Sequence, residues 1–397
     1  MSEVVNIPQL RFPEFNGEWE EKALGVVATI TTGSTPSTSN NEYYDGDVAF
    51  VSPADIQGNR IVRSTKTTIT ELGLSVVREI KKRSTLFVCI GSTIGKVSQA
   101  GVNCATNQQI NALTAKNSFD NDFIYSLLEF KAPRIKLLAG VQAVPQINKS
   151  EFSRFKFTFP LLPEQQKIAA FLTAVDNKIE QLSKKQELLG EYKKGLMQQI
   201  FSQAIRFKAD DGSEFPDWEE KNGNEIFDNI SNKNHDSDLP ILAITQEHGA
   251  IPRDLINYKM IVSDKSVSSY KVVETGDFII SLRSFQGGIE YSNYKGICSP
   301  AYIILRPAIE IEKKFYKYYL KTYRYIQDLN RKLEGIRDGK MVSYKYFSEI
   351  KLPYPSISEQ AKIANFLSSI DNKIEQVGKQ LRESKQFKKA LLQQMFV

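Results

Sequence analysis

Two stretches of the chain place apolar residues on a helical seam. In the first, Ile168, Val175, Leu182, Leu189 and Leu196 recur every seven residues, and Leu172, Ile179 and Ile200 stand four residues after members of that series. This is the pattern of a coiled coil rather than the alternation of a strand. The second stretch repeats it. Ile363, Ile370, Val377 and Leu391 hold one seam position, Leu367, Ile374, Leu381 and Met395 hold the other, and Ser384 is a polar break. Pro163 opens the first run, and Ser356-Ile357-Ser358-Glu359 has the S-x-x-E form of a capping box before the second. The spacing predicts long helices over 161–203 and 356–397, each about 60 Å long at 1.5 Å per residue. Gly190, Gly195 and Gly378 interrupt the pattern; each costs about 1 kcal/mol relative to alanine and marks a bend or a close helix approach. The plainer alternative, two amphipathic helices packed on their own domains, rarely needs a seven-residue repeat held this long.

The two stretches are also copies of one another. EQQKIAAFLTAVDNKIEQ (164–181) and EQAKIANFLSSIDNKIEQ (359–376) agree at thirteen of eighteen positions, an offset of 195 residues. The same offset joins KKGLMQQIF (193–201) to KKALLQQMF (388–396), and Leu10-Arg11-Phe12 to Ile205-Arg206-Phe207. Looser matches pair Trp19-Glu20-Glu21-Lys22 with Trp218-Glu219-Glu220-Lys221, the Phe-rich run at Phe123 with that at Phe315, and 148–152 with 343–347. The chain is therefore a tandem duplication. Its predicted organisation is a variable body (1–160), a conserved helix (161–203), a second body (204–355) and a second helix (356–397). The economical arrangement lays the helices antiparallel, with the bodies at opposite ends of a rod.

Both bodies carry mixed signals, so the expected fold class is α+β. Val48–Val51 and Leu86–Ile90 are predicted strands of the first, separated by turns such as Gly33-Ser34-Thr35-Pro36 and Gly91-Ser92-Thr93-Ile94-Gly95-Lys96. The second offers strands at 278–282 and 301–305, with a 283–288 loop between them. A helix at 123–138 or 315–333 closes each body, and a short strand at 155–159 or 349–352 leads into the long helix.

Composition excludes more than it selects. The 397 residues are 41% apolar and 25% charged, as in ordinary globular proteins. No stretch approaches the roughly 20 apolar residues of a membrane span, and the N-terminal segment lacks the plan of a secretory signal, so a cytoplasmic protein without membrane contact is expected. Cys89, Cys104 and Cys298 have neither disulfide nor zinc spacing and are expected to be buried and reduced. His235 and His248 lie thirteen residues apart in a polar segment, which fits a surface position better than a catalytic or metal one. The phosphate-loop, GxGxxG and HExxH motifs are absent, as is the Asn-Pro-Pro-aromatic tetrapeptide of amino-group methylation. No catalytic residue and no metal site are expected. Glu20-Glu21 and Glu219-Glu220 could imitate a carboxylate dyad, but their place beside a tryptophan in each repeat favours a solvated structural face.

The net charge of +6 is mild, but its distribution is informative. Residues 60–96 hold eight bases against two acids, and residues 306–345 hold eleven against five, interleaved with tyrosines. Two basic regions in corresponding halves point to a phosphate backbone. Lys and Arg would neutralise phosphates, while Asn, Gln, Ser, Thr and Arg on loops can reach base edges. The candidate DNA-binding residues of the first body are Ser34, Thr35, Arg60, Arg63, Lys66, Ser92, Lys96, Asn107, Gln108 and Gln109. Those of the second are Arg283, Ser284, Gln286, Arg337, Lys340 and Lys345. Each taken singly could be a plain surface side chain. A non-catalytic coiled-coil adaptor that binds proteins rather than DNA is the alternative; a self-sufficient nuclease or methyltransferase is disfavoured by the missing motifs.

The repeated E-Q-x-K-I-A-x-F-L-x-x-x-D-N-K-I-E-Q tail, Gly33-Ser34-Thr35-Pro36 with Tyr43-Tyr44-x-Gly46-Asp47 behind it, and Gly91-Ser92-x-Ile94-Gly95-Lys96 followed by Asn107-Gln108-Gln109 resemble the specificity subunit of bacterial type I restriction-modification enzymes. The resemblance spans the whole chain. The second body departs from it in the loops, with Ser299-Pro300-Ala301 near the place of the Asn-Gln-Gln triplet. It implies two target-recognition domains alternating with two helices that form an antiparallel coiled coil in a pseudo-twofold repeat, each domain reading one half of a gapped double-stranded DNA site. The implied partners are two methyltransferase subunits and, through the assembled complex, restriction subunits. The implied chain holds no cofactor; S-adenosylmethionine, ATP and Mg would belong to the partners. Gln165, Lys178, Gln360 and Lys373, read as surface residues of the conserved tails, are either contacts for the methyltransferase subunits or plain solvent-exposed side chains.

Overall fold

The computed structural model describes residues 6–139, 145–236, 238–256, 267–331 and 342–397. The chain divides into two units, Met1–Lys185 with Val377–Val397, and Gln186–Gln376. Both divisions fall inside the long helices, which run Leu162–Phe201 and Ile357–Met395, within a few residues of the predicted bounds. Each unit is thus one body plus a segment of both helices.

In the first unit a five-stranded sheet runs in the order Ala28–Thr32, Ile110–Ala115, Thr85–Val88, Val97–Ala100, Ile61–Val62. Only the last pair is parallel. Side chains alternate across a strand, so Thr85–Val88 serves two cores. Phe87 joins Leu113, Trp19, Phe123 and Phe152 on one face, while Leu86 and Val88 join Val51, Ile56 and Ala112 on the other. The predicted Val48–Val51 strand is the end of Tyr44–Val51, which pairs with Thr67–Ile69 and Cys104–Thr106 in a separate three-stranded sheet. Helix Asn121–Leu138 starts where Asp120 accepts bonds from the N–H groups of Asp122 and Phe123, and it buries Phe123, Ile124, Leu127 and Leu128.

The second unit keeps this plan on a smaller sheet, ordered Phe227–Ile230, Ile303–Pro307, Phe278–Ile280, Glu290–Tyr291 and antiparallel throughout. Again one strand divides its side chains, Phe278 and Ile280 to one cluster and Ile279 to another. The helix expected at 315–333 is two, Lys313–Tyr319 and Tyr323–Arg331. The chain tightens between them, with Lys321 and Thr322 N–H bonding back to Tyr318 and Tyr319 carbonyls. Thr322 Oγ1 then accepts from Tyr325 N–H at 3.3 Å and starts the second piece. Residues 332 and 333 lie outside the described residues.

Both units enter their long helix in the same way. Glu20–Ala23 pairs antiparallel with Lys156–Phe159, and Glu219–Asn222 with Lys351–Tyr354. Arg11 then grips Glu164 through Nε at 2.7 Å and donates to the Gly17 carbonyl; Arg206 grips Glu359 at 3.0 Å and donates to the Pro216 carbonyl. Both glutamates are buried, so the paired arginine is what makes their charge tolerable there. Within the first unit the helical segments run antiparallel. Asp176 meets Lys388 at 2.5 Å, while Trp19, bonded to Glu164 at the helix start, meets Phe396. Within the second, Lys193 meets Asp371 at 2.6 Å, and Ile200 and Phe201 share a cluster with Ile363 and Leu367. The expected seam is the buried stripe in each: Ile168, Leu172, Leu391 and Met395 in one, Ile200, Ile363, Leu367 and Ile370 in the other.

Candidate nucleic-acid interface

Most first-body candidates gather on neighbouring loops. Ser34 N–H donates to the Thr106 carbonyl and Thr35 Oγ1 donates to Gln108 Oε1 at 2.8 Å, which ties the 33–36 turn to the 107–109 triplet. Gly33 is required there, since a Cβ would lie 2.2 Å from Thr106 Oγ1. Within the triplet Asn107 Nδ2 donates to Gln109 Oε1 at 3.0 Å, and Gln109 Nε2 reaches the Ile90 carbonyl beside the third loop. That loop carries exposed Ser92 and half-buried Lys96, whose Nζ donates to the Pro53 carbonyl at 3.3 Å. It turns through Gly91 and Gly95, both at positive φ. Lys66 is exposed on a loop fixed by Asp55, which accepts from Lys66 N–H, Ser52 N–H and Ser52 Oγ. Burial would raise the Asp55 carboxyl, but these bonds outweigh it and hold it below the usual range. The exposed hydroxyl of Ser92, amide of Gln108 and ammonium of Lys66 therefore stand on a stiff framework built by the other groups, as base and phosphate readout requires.

Two basic candidates act inside the unit. Arg60 is buried: its guanidinium contacts Asp176 at 2.9 Å and Asp122 at 3.0 Å, donates to Gln99 Oε1, and lies 4.7 Å over the Tyr125 ring. This corrects the expectation that it faces DNA, because its donors are already engaged by a carboxylate pair brought from the body helix and the long helix. Arg63 is exposed and bridges to Glu180 at 2.9 Å.

In the second body Arg283 and Gln286 are exposed around the short turn of helix Ser284–Gly287. Ser284 is buried and its Oγ accepts from Ser281 N–H, so it shapes the loop and does not present itself to a ligand. Lys345 is exposed on a separate element, Tyr344–Ser348. Arg337 and Lys340 lie outside the described residues. Among the four described candidates, Arg283 and Gln286 are the exposed pair that share one loop.

On the long helices Lys178 and Lys373 are exposed, whereas Gln165 and Gln360 are buried. Each glutamine accepts from the N–H that opens a body helix, Asp120 or Glu312, and donates to the carbonyl of Pro160 or Pro355. The expectation that these two meet another subunit is thereby corrected: each amide uses both of its functions to lock its own helix start to its own body. The three thiols are buried, and burial pushes each up to about 12, outside any reactive range. Among the described residues no group of three or more His, Cys, Asp or Glu side chains could hold a metal ion, and no helix is long and apolar enough to cross a membrane.

What sequence reasoning did not assign is the environment of Asp371 in the second unit. Lys193, Lys194, Lys317, Lys321 and Arg324 line one cavity there with several tyrosines. The interleaved Lys and Tyr of 306–345 were its visible signal.

The family model described as the type I restriction modification DNA specificity domain matches residues 16–189 and again 216–383. The chain belongs to that family. The specificity subunit of the MjaVIII type I restriction enzyme of Methanocaldococcus jannaschii is 25% identical over 96% of this chain and 92% of its own length. That of the HindI enzyme of Haemophilus influenzae is 29% identical over 41% of this chain and 37% of its own. Among solved structures, the specificity subunit of M. genitalium covers 98% of this chain and 99% of its own, with a TM-score of 0.63 at 19% identity, a likeness of fold. As a type I specificity subunit the chain serves DNA target recognition, and one matched segment falls in each half of the duplicated chain.

Proposed function

We propose that each body of this specificity subunit reads one half of a gapped site in double-stranded DNA, and that the long helices set the gap and dock two methyltransferase subunits. The observation that carries this is the first-body cluster, in which Thr35, Ser92, Lys96 and the Asn107–Gln109 triplet occupy neighbouring loops held by one another and by the sheet. Side chains so placed can pair with base edges, while Lys66 and Lys96 meet phosphates. Residues Arg283 and Gln286 play this part in the second body. Exposed Lys178 and Lys373, at matching repeat positions, fit two equivalent docking surfaces. The chain itself performs no catalysis and holds no cofactor in this reading. Methyl transfer from S-adenosylmethionine and Mg- and ATP-dependent restriction belong to its partners, in the cytoplasm.

The test is base-resolution methylation of DNA in a host expressing this chain with its neighbouring methyltransferase. A gapped motif that appears only with the chain, and changes in one half when residues 1–160 are replaced by those of a relative, is the expected result. Unchanged methylation despite association of the proteins would instead favour a protein-binding adaptor. Affinity for duplex DNA should fall linearly with log salt, as counterion release requires.

A further inference from the structure

The second unit contains a cavity of about 980 Å³ between its body and its helical segments, at the large end of the range for small-molecule sites. Five cations, Lys193, Lys194, Lys317, Lys321 and Arg324, line it against three carboxylates, Asp371, Glu290 and the exposed Glu247 beside His248, so its charges are not balanced. Asp371 is taken by Lys193 at 2.6 Å and by the Tyr318 hydroxyl, which donates at 2.6 Å. Glu290 is taken by Lys321. Lys317 remains, half-buried, with its ammonium 5.7 Å from the Tyr291 ring and 5.6 Å from the Tyr318 ring. Burial lowers its pKa, and Lys193 and Lys314 press in the same direction against Asp371 alone. Lys194 and Arg324 add exposed positive charge to the lining, Tyr323 adds an exposed ring, and Gln246 and Asn293 add amides.

The first unit shows what a satisfied version of this place looks like. Asp120 and Glu312 cap equivalent helices and bond equivalent glutamines, so Tyr125 and Lys317, five residues on, are counterparts. There an arginine of the body lies over Tyr125 and closes on Asp176. In the second unit the counterpart of that ring is itself a cation facing open space.

We propose that this cavity binds a nucleoside phosphate, its phosphate held by Lys317 with Lys194 and Arg324 and its base by the tyrosine rings. An ammonium flanked by ring faces and lacking a carboxylate partner is a site for a phosphate oxygen. Tyrosines accept the face of any base. The amides can address a base edge.

The probe is ADP, titrated calorimetrically into the full chain without DNA, with adenosine and pyrophosphate as its halves. ADP should bind one to one and more tightly than either half. Lys317→Met should weaken it at least tenfold, Tyr323→Ala severalfold, and Arg60→Met of the other unit should leave it unchanged. Tyr323 is 75% exposed, so its truncation reads binding without disturbing the fold. Absence of ADP binding, or binding indifferent to both Lys317→Met and Tyr323→Ala, overturns the proposal. Duplex DNA added to the ADP complex identifies the natural source: displacement assigns the site to a nucleotide of DNA, simultaneous binding to a free nucleotide, and either upholds it. Because ADP is tested without DNA, a failure of half-site reading would leave this result intact.

Discussion

The two units place the same helix-borne pair in different surroundings. Asp176 and Lys388 in one, and Asp371 and Lys193 in the other, are repeat equivalents and form the same ion pair. In the first unit Arg60, Arg83 and Lys388 face Asp122, Asp176 and Glu129, three cations to three carboxylates in a closed network. In the second, Lys193, Lys317 and Lys321 face Asp371 and Glu290 across an open cavity. The difference teaches how the duplication diverged: the helices kept their charges, and each body met them with whatever its own loops supplied. A body that inserts an arginine is bolted to its helix, and a body that does not is left with a pocket.

The largest expected effect breaks the bolt. Arg60→Met takes a partner from buried Asp176, which keeps Lys388, and from half-buried Asp122, which keeps Arg83 and Gln99, and should cost about 3 kcal/mol, the low end for breaking a buried pair. Lys193→Met removes the matching pair from the second unit, where Asp371 is 34% exposed and keeps the Tyr318 hydroxyl, and should cost about 1 kcal/mol. The cysteines read the two units separately, since Cys89 and Cys104 lie in the first and Cys298 in the second, all buried. Thiol labelling under mild urea should speed up at Cys89 and Cys104 in Arg60→Met and leave Cys298 nearly unchanged. Equal acceleration at all three would mean that Arg60 is no local bolt.

A smaller effect sharpens the comparison by showing where the units agree. Glu164→Gln and Glu359→Gln each weaken an arginine grip that both units share, and each should cost about 2 kcal/mol, the worth of hydrogen bonds to a charged group. Urea unfolding of the two variants should give values within about 1 kcal/mol of one another. A large inequality would show that the entry to the long helix is not the common frame of the repeat.

How much of this was legible follows from the range of the interactions. The helical seam and the duplication are visible because periodicity and self-similarity are local or directly comparable, and Ile168, Leu172, Ile363 and Leu367 are buried as the spacing requires. The loop cluster was legible in part, because Gly33, Gly91 and Gly95 mark turns whose neighbours must be displayed. Arg60 was not, because Asp122 and Asp176 reach it from other elements, and a basic count cannot separate an arginine facing solvent from one facing a carboxylate. Gln165 and Gln360 failed for the same reason: a polar residue in a helical motif looks exposed until a backbone N–H some 45 residues away claims it. The cavity around Lys317 depends on what the second body lacks, which no local pattern states.

The smallest expected effect is in pH. Burial would raise the Asp122 carboxyl, but hydrogen bonds from Gln99 and Arg83 and the charges of Arg60 and Arg83 outweigh it and hold its pKa below the usual value. A carboxyl depressed in the folded state contributes stability that is fully present above its unfolded pKa, about 3.9, and is lost as pH falls through the lower folded value. The first unit should therefore weaken as pH drops below about 4, and Asp122→Asn should remove that part of the slope while lowering stability at neutral pH. Asp371, whose charge is balanced by a lysine beside an open cavity, offers the control: Asp371→Asn should leave the acid response of Cys89 and Cys104 labelling as it is in the parent chain. If Asp122→Asn kept the full acid slope at those two thiols, the closed network would not be what distinguishes the first unit from the second.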